Sequence, residues 1–204
     1  MADVGTDHAY IPIFLIKSGK IRSAVAADIN LGPTRRAEEN IKGHGLSGKI
    51  QTILSDGLDN VADDAYDTVI IAGMGGMLIS EIIERSRRKR DALFILQPMT
   101  AIPRLRFYLY SQGFEIVDEQ LCREGNKIYT VIVAKHGKDL NFDAVDLYIG
   151  RKLIEKNDPL LPDLIERQAG KISTKIRGLS QGKHTDENLT QYYKGILEAI
   201  QKIF

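Results

Sequence analysis

The stretch Thr68-Val69-Ile70-Ile71-Ala72-Gly73-Met74-Gly75-Gly76 opens as a nearly pure β-branched run and closes on three glycines within four positions. A run with branched residues on both of its faces reads as a strand covered on both sides, as in a parallel sheet. The glycines admit two readings: a tight turn from strand to helix, or a backbone left bare so that a ligand can approach. A helix from about Met77 to Arg85 follows, then a buried strand over Ala92–Leu96, then a helix over Arg104–Gln112 stopped by Gly113. Upstream, Ile50–Leu54 is a short strand ending in Ser55-Asp56-Gly57, and Ser23–Ala27 is another ending in Asp28. Pro33 suits a first helical turn, and that helix runs to about His44. Strands and helices alternating at this length make an α/β domain, a Rossmann-like parallel sheet with helices on both faces.

The alternation then breaks. Phe114–Leu121 and Lys127–Lys135 are strand-like, are joined by Cys122–Asn126 and have no helix between them, so they should pair as an antiparallel hairpin. A mostly parallel sheet finished this way resembles class I methyltransferases rather than nucleotide dehydrogenases. The expected first domain is 1–137. Residues 138–204 differ in kind: Leu161, Ile165, Ile172, Ile176 and Leu179 recur at helical spacings, as do Leu189, Tyr193, Ile196, Ile200 and Ile203. They predict a C-terminal helical hairpin with coiled-coil-like packing, turned at Ser180–Thr185 and preceded by one helix near Ala144–Lys156. Met1–Gly5 reads as the tail of a first strand, so a chain that starts earlier is expected.

Bulk composition narrows the class without choosing a function. A chain of 204 residues, 43% hydrophobic and 27% charged, is ordinary for a soluble globular protein. With 28 basic and 27 acidic residues the net charge is +1, which neither demands nor excludes an RNA partner. The single cysteine, Cys122, forbids an intrachain disulfide and suits a reducing compartment. No apolar run approaches the roughly 20 residues that span a bilayer, and the start lacks a secretory layout. The expected location is cytoplasmic, with no membrane partner and no metal.

Ligands of open parallel sheets bind beyond the carboxyl ends of the strands. The residues falling there are Asp3–His8, then Asp28, then Asp56-Gly57, then Ala72–Gly76, then Gln97-Pro98-Met99. Asp28 lies 23 residues beyond Gly5, the spacing at which an acid accepts both ribose hydroxyls of a nucleoside. Asp56 is a candidate acceptor for an adenine amino group. The first loop has one glycine where dinucleotide enzymes have three, so a pyrophosphate cradle is poorly supported. S-adenosylmethionine carries no phosphate and needs none.

Several strings together resemble the bacterial tRNA adenine-22 N1-methyltransferases, the TrmK family. They are Ala2-Asp3-Val4-Gly5-Thr6-Asp7-His8-Ala9-Tyr10-Ile11-Pro12-Ile13, Ala27-Asp28-Ile29-Asn30, Ser55-Asp56-Gly57-Leu58, Ile71–Gly76 and Leu96-Gln97-Pro98-Met99. The similarity covers essentially the whole chain, but the family's leading helix and most of its first strand are missing. The resemblance implies S-adenosyl-L-methionine as cofactor, held by Gly5, Asp7, His8, Asp28, Ile29, Asp56, Gly57, Ala72, Gly73, Met74 and Gly75. It implies tRNA as substrate, with His8 and Tyr10 near the pocket mouth beside Gln97 and Pro98. A carboxylate that favours the charge developing on the base would assist transfer, and Asp7 is the candidate, so Asp7, Tyr10 and His8 are the expected catalytic residues. Arg87, Arg88, Lys89, Arg90 and Arg104, with Arg85 and Arg106 beside them, supply the densest basic run and are the expected RNA contacts. Plainer roles stand beside these: His8 as a helix cap, Tyr10 as core packing, Gln97-Pro98 as a strand end, the charge run as a solvated face. The competing functions are a non-catalytic RNA- or protein-binding module on the same fold, and methyl transfer to another substrate.

Overall fold

The computed structural model describes residues 1–137, 141–181 and 186–203. Seven strands among them form one sheet: β1 (Ala2–Val4), β2 (Ala24–Asp28), β3 (Ile50–Leu54), β4 (Thr68–Gly75), β5 (Leu93–Thr100), β6 (Phe114–Glu124) and β7 (Lys127–His136). Their order is β3-β2-β1-β4-β5-β7-β6, and the first five run parallel. The hairpin inserts its second strand, β7, antiparallel against β5 and leaves β6 on the edge. Helices α1 (Tyr10–Lys17), α2 (Leu31–Gly43), α3 (Gly76–Arg85) and α4 (Ile102–Ser111) are the crossovers. This is the Rossmann-like class I methyltransferase arrangement.

The β-branched run is buried as its composition requires, with Val69 and Ile71 fully covered and Ile70 nearly so. β1 has only three residues, yet all are buried because both edges are paired, to β2 and to β4. Met1 is buried as well, and its ammonium donates to the Ser23 carbonyl at 3.3 Å. One core cluster, including Ile13, Ile16, Ala26, Ala37, Ile41 and Ile50, packs α1 and α2 onto β2 and β3.

The described residues divide into two compact units, 1–117 with 131–137 and 118–130 with 141–203. The second unit therefore contains the tip of the β6–β7 hairpin. Its core joins Leu121 to Ile149, Leu153, Leu161, Ile172 and Ile196. Where one helix was expected over Ala144–Lys156, there are two short ones, α5 (Ala144–Tyr148) and α6 (Arg151–Glu155). Gly150, at φ +110°, breaks them apart. Helices α7 (Leu161–Gln181) and α8 (Glu187–Gln201) pack together through the predicted stripes. Lys175 Nζ stands 4.3 Å from the Tyr193 ring centroid. Of the expected turn, Ser180 and Gln181 belong to α7, and Gly182–Thr185 lie outside the described residues.

Gly76, at the start of α3, has no room for a side chain. A Cβ there would lie 2.9 Å from the carbonyl oxygens of Thr100 and Ala101, which are backbone and cannot swing aside. Gly76→Ala should therefore destabilise the fold by about 1–3 kcal/mol. Urea unfolding read by circular dichroism checks this, with Gly43→Ala as a control because a Cβ at Gly43 meets no atom within 4 Å.

Candidate active site

The parallel order brings the carboxyl ends of β1 to β4 to one edge of the sheet, and a cavity of about 340 Å³ opens there. Val4 and Gly5 line it from β1, Asp28, Ile29 and Asn30 from β2. Ser55, Asp56 and Gly57 follow from β3, then Ala72, Gly73 and Met74 from β4. Leu78 and Ile82 of α3 complete the wall. Eight of the residues singled out from sequence thus meet around one space: Gly5, Asp28, Ile29, Asp56, Gly57, Ala72, Gly73 and Met74. Gly75, a ninth, lies beside it in the bulged end of β4.

Local geometry explains why these residue types stand there. Gly5 has φ +75°, and its N–H and that of Thr6 both donate to the Ala27 carbonyl, at 2.8 and 3.1 Å. A Cβ on Gly5 would fall 2.3 Å from Met74 Cε, so the bare backbone lets the Met74 thioether lie across the loop. Gly73 has φ +78° and open space where a side chain would be. Its N–H donates to Gln97 Oε1 at 3.0 Å, which ties the end of β4 to the end of β5. Gly76 thus serves close packing, while Gly73 leaves bare backbone at the cavity wall.

The electrostatics favour a ligand without phosphate. The lining contains two carboxylates and no lysine or arginine side chain. Asp28 is buried; its Oδ1 accepts the Asn30 N–H at 2.9 Å, and Oδ2 has no protein donor among the described residues. Asp56 is exposed and bridged by Arg85, which holds its carboxyl below the usual carboxylate range. Such a wall repels a pyrophosphate and suits an adenosine whose sulfur and amino group are cationic.

The residues expected near the chemistry, Asp7, His8 and Tyr10, form a separate group. Asp7 accepts from Arg36 Nη2 at 2.6 Å, which lowers its pKa, and lies outside the cavity lining. His8 stacks on Tyr10 with centroids 5.0 Å apart and planes inclined by 11°. Together with Arg36, Asn40 and His44 they border a shallow basin of about 440 Å³. Tyr10 is 65% exposed, so it is not core packing, and α1 has no side-chain cap, so His8 is not a helix cap. Asp7 and Ala9 both hold positive φ, at 41° and 55°, a strained loop of the kind found at functional sites.

The basic run is more committed than its composition suggests. Arg87 pairs with Asp63, and Arg88 donates to the carbonyls of Asp63 and Tyr66 at 2.7 and 2.6 Å. Lys89 pairs with Glu84, and Arg106 is buried. Arg90 and Arg104 are exposed, whereas Pro98 is buried. The sequence alone gives no individual role to Met74's thioether, Arg36 or Arg85, because their partners lie 26 to 69 residues away along the chain, beyond any local pattern.

A seven-stranded class I methyltransferase sheet with an acid-lined cleft at its carboxyl edge defines the class. Within it, the chain belongs to the tRNA (adenine(22)-N(1))-methyltransferase family, TrmK, whose model matches residues 1–203. The Bacillus subtilis (strain 168) tRNA (adenine(22)-N(1))-methyltransferase is 35% identical over 153 residues, 74% of this chain. The match spans 64% of that relative's own length. The crystal structure of the B. subtilis m1A22 tRNA methyltransferase TrmK superposes with a TM-score of 0.87 at 27% identity, covering 100% of this chain and 91% of that one. Streptococcus pneumoniae Sp1610 in complex with S-adenosyl-L-methionine gives 0.85 at 32% identity, over 99% and 90%.

Beneath the Gly5 loop, Asp3 is 3% exposed and accepts from Thr6 Oγ1 at 2.6 Å. Burial pushes its carboxyl up to about 6, against the lowering effect of that bond. Between pH 4 and 6 the folded protein therefore holds a proton that the unfolded chain has released. This contribution to stability is present below pH 4 and is lost as pH rises through about 6. Asp3→Asn keeps an acceptor for Thr6 and removes the charge. The Tm difference, variant minus wild type, should grow by several degrees between pH 4.5 and 7.5 in differential scanning calorimetry.

Proposed function

We propose that this chain transfers a methyl group from S-adenosyl-L-methionine to N1 of an adenine in tRNA, at position 22 as in its family. The observation that carries the reading is the cleft whose wall holds Asp28 and Asp56 and no cationic side chain. Asp28, with Oδ2 unclaimed among the described residues, is the acceptor for the ribose hydroxyls. Asp56 is the acceptor for the cofactor's adenine amino group, and Gly5, Gly73 and Met74 shape the floor. Ile29, Gly57, Ala72 and Gly75 belong to the same shell. When bound, the cofactor supplies a methyl group already activated by its sulfonium.

Adenine N1 carries an in-plane lone pair, so no protein nucleophile is needed and placement is the main task. N1 lies on the pairing edge, which requires the target base to leave its stack. The stacked rings of His8 and Tyr10, 37 and 65% exposed, offer an aromatic platform for an extruded base. Asp7, held ionised by Arg36, is the nearby carboxylate that would favour the positive charge developing on the methylated base. Gln97 steadies the glycine loop between cleft and mouth. For the RNA backbone, exposed Arg90 and Arg104 are the first candidates, with Arg87, Arg88 and Lys89 supporting the surface they stand on.

The test is transfer of labelled methyl to unmodified bacterial tRNA, with the product nucleoside identified as 1-methyladenosine and a transcript with guanine at position 22 as control. No transfer to the adenine transcript, or equal transfer to both, would reject the reading. Asp28→Ala should weaken S-adenosylhomocysteine binding by at least about tenfold in calorimetry; unchanged affinity removes its role. Arg90→Ala with Arg104→Ala should make the slope of log affinity against log salt about 1 to 2 units shallower.

A further inference from the structure

Arg85 ends α3, the helix that lends Leu78 and Ile82 to the cleft wall. By sequence it belongs to the basic run, yet its guanidinium is turned toward the carboxylate that stands in the cleft. Nη2 donates to Asp56 Oδ1 at 2.8 Å, and Nη1 donates to Asp56 Oδ2 at 3.1 Å and to Asp59 Oδ2 at 3.2 Å. Two parallel bonds from a planar fork fix both the position and the plane of a carboxylate, which a single point charge does not. The loop beneath is pressed on the same helix: a Cβ at Gly57 would meet Ile82 Cγ2 at 3.0 Å and Arg85 Nη2 at 3.6 Å.

This arrangement is poorly explained as stabilisation. The partners are 42 and 47% exposed, and exposed pairs contribute little. Nor does it exhaust Asp56, because each carboxylate oxygen accepts more than one hydrogen bond. What the fork does remove is freedom to rotate.

We propose that Arg85 is a positioning residue for adenine selection: by clamping Asp56 it aims the carboxylate at the 6-amino group of the bound adenosine and rejects a 6-oxo purine. The inference rests on reading the cleft as the S-adenosylmethionine site. A 6-oxo purine presents an acceptor where adenine presents a donor, and its nearest donor is the neighbouring ring N–H. A free carboxylate can swing to that N–H; a clamped one cannot, and faces the oxo group unpaired. Arg85 thus acts through Asp56 and touches no reacting atom.

The experiment is calorimetric binding of S-adenosylhomocysteine and of its 6-oxo analogue, S-inosylhomocysteine, to the full chain. Wild type should prefer the adenosyl ligand by well over tenfold. Arg85→Gln should cut that preference about tenfold, chiefly by weakening the adenosyl ligand. Arg85→Lys, a charge without a fork, should recover only part of it. In an Asp56→Asn background, Arg85→Gln should change the preference no further. Equal weakening of both ligands, or an unchanged ratio, would overturn the proposal and leave Arg85 a structural tie. Binding of neither ligand by folded wild type would instead overturn the cofactor reading itself. Should Arg85→Gln not fold, the Arg85→Lys ratio decides: a wild-type ratio there overturns the clamp.

Discussion

The parallel pairing of three residues, Ala2–Val4, between β2 and β4 is the constraint on which the cleft depends. It brings the loops after β1, β2 and β4 to one edge, and it presents the Ala27 carbonyl to the two amides, Gly5 and Thr6, that turn the chain away. So short a strand makes few ladder bonds, and its hold comes from being flanked on both sides and wholly buried. Asp3 sits in this strand at a cost, since a carboxylate in a dry interior resists ionisation. The Thr6 hydroxyl offsets part of that cost and secures the turn above it.

Around that edge, positive φ and negative charge divide the work. Gly5, Gly57 and Gly73 adopt conformations that other side chains resist, and so bring backbone to the wall. Asp28 and Asp56 supply acceptors that differ in their partners, one oriented by its own turn and the other by a distant guanidinium. The pocket can therefore be acidic without both charges being equally free.

Much of this was legible in the sequence for a simple reason. Strand periodicity, a glycine-terminated β-branched run and acids at successive strand ends are local signals, and a parallel sheet converts them into one place. The convergence of Asp28, Asp56 and Gly73 on one cavity is legible in that way. What was not legible was long-range pairing: whether a surface-looking arginine faces solvent or a carboxylate 29 residues away, as Arg85 does toward Asp56. The same holds for Arg88, whose two carbonyl partners sit in the stretch before β4. The break at Gly150 is not legible because the apolar spacing continues through it; only a φ of +110° ends the helix there.

The hairpin tip carries an architectural consequence. Because 118–130 folds with 141–203, the chain passes from one compact unit to the other three times. Leu121 is a core residue of the helical unit although it is encoded within a strand of the sheet. Neither unit is a cassette that recombination could lift out at a single junction. Insertions, swaps and drift in the helical region are answerable to the hairpin, so lineages should diversify the two together rather than trade one for another.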